Sequence, residues 1–219
     1  MTELVGVAAV AVVAWFAAGT IWNVRKGSAL MRWMQGGADG ELRGGLRALG
    51  ERTTVRWLGS TAVEMVLSDA KPPFAAVTLV IFLEPRDLPW WPISRARGRR
   101  DTLIIRGVLR RAPAVAHLAE FEALDPASWS GRDALARVPR EWLLREATGG
   151  LVVHHASAGP LAHADAMLAL ARRGGLAIRR LSMRRTEPNL QIHVDLPDGR
   201  QPAREFFEAV HALAERALS

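Results

Sequence analysis

The chain has 219 residues, 49% of them hydrophobic, which allows one membrane segment and one globular domain of about 180–190 residues with a real core. It has no cysteine, so disulfides, thiolate metal sites and cysteine nucleophiles are excluded. The +7 excess is uneven. Residues 23–60 carry +4 and residues 85–111 carry +6, whereas residues 112–219 sum to zero. All of the excess thus lies in the half nearer the apolar N-terminus, as expected of a domain whose proximal face meets anionic lipid; a nucleic-acid binder could show the same pattern.

Residues 1–3 read as a short extracytoplasmic start, followed by 4–22 (LVGVAAVAVVAWFAAGTIW), 19 residues without a charge. At 1.5 Å per residue this run spans about 28 Å, close to the hydrocarbon thickness of a bilayer. A secretory signal would need a positive start, but the chain opens Met1-Thr2-Glu3, and a retained single-pass anchor is expected. Glu3 stands before the run and Arg25, Lys26 and Arg32 after it, which predicts an outside N-terminus and a cytoplasmic domain.

Residues 23–50 read as juxtamembrane amphipathic segments. Residues 28–35 place Leu30, Met31, Trp33 and Met34 around Arg32, either in the interface or packed on the domain. After a glycine-rich break, residues 41–50 repeat the pattern with Leu42, Leu46 and Leu49. Residues 51–219 form the predicted mixed-sheet domain, α/β or α+β. Residues 76–83 and 102–109 are β-branched runs and read as strands.

Between them, residues 85–101 read as a proline-broken loop. Leu88, Trp90, Trp91 and Ile93 stand there beside Arg95, Arg97, Arg99 and Arg100. At a membrane, indoles would seat at the headgroups while arginines meet phosphates. A protein partner, folding back over the core, and single-strand nucleic-acid stacking are the other readings. Trp22, Arg25, Lys26, Arg32, Trp33, Trp90, Trp91, Arg95, Arg97, Arg99 and Arg100 together make the expected interface set.

Further on, residues 113–124 read as a short helix and residues 131–147 as one or two helices broken at Pro139, with Glu141 and Arg145 at i,i+4. Residues 151–155 read as a strand, 160–173 as a helix, 176–183 and 190–196 as strands, and the segment from Pro202 as the final helix. Nucleotide cradles and G-x-S-x-G elbows are absent. His154, His155, His163 and Asp165 are the one cluster with catalytic or zinc-binding chemistry. Adjacent histidines on a strand point to opposite faces, however, and helix-terminal surface positions suit His163 and Asp165 better. The chain therefore reads as non-enzymatic, with no cofactor.

The order of features resembles the calumin family, coiled-coil-domain proteins of the endoplasmic reticulum that serve in the intramembrane chaperone complex of the multipass translocon. The resemblance rests on ALMRW at 29–33, WLGS at 57–60 leading into Glu64-Met65, FLEPRDL at 82–88, DTLII at 101–105, Leu118–Leu124, LAIRRLS at 176–182 and LQIHVDLP at 190–197. It implies a membrane-hugging cytoplasmic domain that binds integral-membrane partners and assists their insertion or assembly. The acidic lumenal region and the long lysine-rich coiled coil that faces the ribosome in that family have no counterpart here, which puts ribosome contact in doubt.

Overall fold

In the computed structural model, residues 2–35, 44–110, 120–146, 150–156, 160–197 and 201–219 are described. Among the described residues, an N-terminal helix leads into one nine-stranded sheet. α1 runs unbroken from Thr2 to Gln35, 34 residues and about 51 Å. A 3₁₀ turn (Gly45–Ala48) follows, then β1 (Gly50–Trp57), β2 (Ala62–Ala70), β3 (Phe74–Phe82), the short helix α2 (Trp91–Ala96), β4 (Thr102–Leu109) and β5 (Phe121–Leu124). The chain continues through α3 (Trp129–Leu135), β6 (Leu143–Glu146), β7 (Val152–His155), α4 (Pro160–Arg173), β8 (Ile178–Met183), β9 (Leu190–Asp195) and α5 (Ala203–Ala217).

The strand order is β1-β2-β3-β4-β9-β8-β5-β7-β6, and all the neighbouring pairs are antiparallel. The helices are interspersed rather than crossing over between parallel strands, so the domain is of the α+β kind. One face carries the main core. Met65, Leu79, Ile81, Leu103, Ile192, Leu181 and Phe121 pack there with the inner sides of α4 and α5 and with Leu30 and Met34 of α1.

Several expectations change. The amphipathic stretch at 28–35 is not a separate element, because it continues α1 without a joint. The apolar stripe at 41–50 resolves into the 3₁₀ turn, with Leu46 and Leu49 buried; residues 36–43 lie outside the described residues. Of the helix expected over 113–124, residues 111–119 lie outside the described residues, and Phe121–Leu124 is strand β5, buried between β7 and β8. The helical reading of 131–147 holds only for α3, capped by the Ser128 hydroxyl accepting from the Gly131 amide at 2.9 Å. Beyond Pro139 the chain pairs as β6 with β7, so sheet contacts override the local i,i+4 pattern.

Candidate membrane-interface site

Two halves of α1 have opposite surroundings. From Glu3 to Ala18 each residue is exposed. From Gly19 onward a stripe at Gly19, Asn23, Gly27, Leu30 and Met34 is buried, spacings of four and three that keep one face on the domain. Glycine is needed at the first contact, because a Cβ on Gly19 would run into the backbone of Arg86 and Asp87. Gly27 similarly admits the ring of Trp57. The apolar run is thus a bare cylinder about 24 Å long that leaves the domain at the level of residues 85–101. It is the one helix among the described residues long and apolar enough to cross a membrane.

The junction is clamped by ions. Asp101, 8% exposed, accepts from Arg86 through both oxygens at 3.0 and 2.7 Å, from the Glu84 amide at 2.7 Å, and from Lys26 of α1. Arg86 also donates to Asn23 of α1 at 3.2 Å. Burial alone would raise the Asp101 carboxyl, but the hydrogen bonds from Arg86 and Lys26 outweigh it and hold the group below the usual carboxylate range. Glu84, 2% exposed, accepts from the Trp91 indole and from Arg95 at 2.9 Å. The Trp91 ring is flanked by the guanidinium groups of Arg86 and Arg95 at 5.9 and 6.0 Å.

The expected interface residues therefore divide. Lys26, Arg95 and Trp91 serve the clamp. Arg100 folds onto the carbonyls of Arg95 and Arg99, and Arg99 lies over Trp129 with 5.5 Å to the ring centroid. Trp33 packs against Phe206 and Phe207, with centroids at 5.6 and 6.0 Å, and its indole donates to the Gln201 carbonyl at 3.0 Å. It is part of the α1–α5 contact, the packed alternative of the two readings of 28–35. Trp22, Trp90 and Ile93 remain exposed, at 63%, 56% and 57%. Arg25, Arg32 and Arg97 have no acidic partner among the described residues. Residues 85–101 are not wholly loop, since Pro92 sits in the first turn of α2, where its missing amide costs nothing.

No family model matches the chain, and no curated protein resembles it closely enough to count as a relative.

Sequence reasoning missed the acidic half of the clamp. Glu84 and Asp101 bracket the arginine-rich segment at a strand end and a strand start, and that bracketing was the available signal. The sheet divides the histidine cluster, with His155 opposite Phe121 in the strand register and His154 on the other face. His154 pairs with Glu122 on the sheet face away from the main core, whereas His163 on α4 meets Phe121 edge-on at 6.4 Å on the core face. The sheet separates them, so the two cannot hold one ion together; Asp165 lies two residues along α4 from His163. Among the described residues no group of three potential metal ligands occurs. Burial lowers His154, partly opposed by Glu122, and burial then Arg216 lower His163.

Proposed function

We propose that this chain is a non-catalytic, membrane-anchored accessory subunit that binds integral-membrane partners and assists their insertion or assembly. Residues 4–22 cross the bilayer once, with the N-terminus outside and the domain on the cytoplasmic surface. The observation that carries the reading is the continuity of α1: one helix is bare for 16 residues and docked for the rest. An uncovered apolar cylinder of that length is untenable in water and calls for lipid or membrane protein around it. The absence of a joint fixes the domain's angle to the membrane, which suits a platform that presents a surface to neighbours there. Trp22, Trp90 and Ile93 would seat among the headgroups, with Arg25 and Arg97 at the phosphates. The ordered resemblance to calumin supports the same role.

Extraction of the full chain from membranes in mild detergent, followed by mass spectrometry, tests it. A stoichiometric integral-membrane partner is expected, and a chain that purifies alone, with lipid only, would reject the accessory role.

A further inference from the structure

Where α1 leaves the domain, a hollow of about 260 Å³ lies between Trp15, Ala18, Gly19 and Trp22 on one side and Arg86 and Trp91 on the other. We propose that it binds one anionic phospholipid, an acyl chain lying in the hollow and the phosphate resting on Arg25. This rests on the membrane-crossing reading above.

The domain-side wall of the hollow is fixed. Gly19 holds α1 against the backbone of Arg86 and Asp87, and Trp91 is tied to Glu84 and flanked by two guanidinium groups. That wall cannot move inward by a small side-chain change, so an occupant meets one preformed side, with the exposed Trp15 and Trp22 rings on the other. A second hollow, lined by Ala18, Ile21, Trp22, Arg25 and Lys26, shares Ala18 and Trp22 with the first and extends the groove to a charged end. Lys26 is committed to Asp101 there, which leaves Arg25 as the exposed cation with no acidic partner among the described residues.

The dimensions fit a lipid of the domain-side leaflet. Arg25 and Trp15 are ten residues apart, about 15 Å along the helix, which is half the hydrocarbon thickness of a bilayer. A phosphate at Arg25 therefore sends its chain along Trp22 and Ala18 towards mid-membrane. Charge selects the headgroup: residues 23–26 and 84–101 hold seven cations against three carboxylates. A partner helix could fill an apolar hollow, but it would need an acidic residue placed opposite Arg25, whereas an anionic lipid brings its charge to that level by construction.

The test uses the full chain reconstituted in nanodiscs of equal phosphatidylglycerol and phosphatidylcholine, released into mild detergent and weighed by native mass spectrometry. One phosphatidylglycerol per chain is expected, favoured over phosphatidylcholine by about fivefold or more, the selectivity one near-surface arginine supplies. Arg25→Gln should erase most of that preference, and Ala18→Phe, which fills the hollow from an exposed position, should abolish retention. Unselective retention that neither variant alters, or no retention from a chain that resists carbonate extraction, would overturn the lipid site and leave the membrane reading standing. A chain released by carbonate would overturn both. A cross-link from Ala18→Cys to a second protein, with no lipid retained, would replace the lipid with a partner helix and so reject the proposal.

Discussion

Replacing Asp101 by asparagine probes the clamp that joins the membrane helix to the sheet. The carboxylate is 8% exposed and receives four donors: two from Arg86, one from the Glu84 amide and one from Lys26. The asparagine side chain would turn an amide N–H₂ towards a cation and leave Arg86, 12% exposed, facing a neutral group. Removing one partner of a buried ion pair typically costs about 3–5 kcal/mol. Lys26 is 38% exposed and partly solvated, and Arg86 keeps Glu84 at 3.6 Å, so about 2–3 kcal/mol is the reasoned loss. For a chain of this size that corresponds to about 4–12 °C in the melting temperature. Thermal unfolding followed by circular dichroism in detergent measures it, with Lys26→Met and the double variant closing a cycle. Coupling of about 1 kcal/mol between positions 26 and 101 is expected. If Asp101→Asn melts within about 0.5 kcal/mol of the parent, or if the two changes simply add, the clamp does not hold α1 to the domain.

Gly19→Ala should lower stability by about 1–3 kcal/mol, because the new methyl meets backbone, whereas Gly6→Ala, with open space around it, should leave the melt unchanged. Trp33→Ala should cost about 3 kcal/mol through lost contact with Phe206 and Phe207, whereas Trp90→Ala should shift the melt by less than about 0.5 kcal/mol. Equal effects would contradict the division between packed and interfacial indoles. Burial, reinforced by Arg180, Arg106 and Arg137, pushes His193 down to about 3. An imidazole depressed in the folded state leaves the unfolded chain holding more protons, so stability falls as pH drops below about 6.5. Between pH 7 and 5 the loss from His193 should be about 2 kcal/mol, with His154 and His163 acting in the same direction. Chemical denaturation across that range should show the slope and its reduction in His193→Gln; an unchanged slope in the variant would refute it.

Segments with strong periodicity were legible. The strands at 76–83 and 102–109, the helix at 160–173 and the C-terminal β-β-α unit appear within a few residues of their expected bounds. β1 and β2 were not, because charges interrupt their β-branched residues. Only their pairing explains those charges: Arg52 meets Asp69 and Arg56 meets Glu64 across the two strands. β6 was hidden by a helix-like charge spacing, and β5 by its length of four residues. In the candidate site the tryptophans and arginines were visible as a composition. Their division into clamp, packing and exposed groups was not, since it depends on Glu84 and Asp101 arriving from strands and on Gly19 allowing close approach.

The chain lacks cysteine, so single cysteines at Val7, Val13, Ile21, Arg25 and Ile93 can each carry a spin label in liposomes. Collision rates with oxygen and with a water-soluble nickel complex test most directly whether α1 enters lipid where it leaves the domain. Oxygen-dominated collisions at 7 and 13, a crossover near 21 and 93, and nickel-dominated collisions at 25 are expected. Nickel-dominated collisions at 7 and 13 would contradict the account.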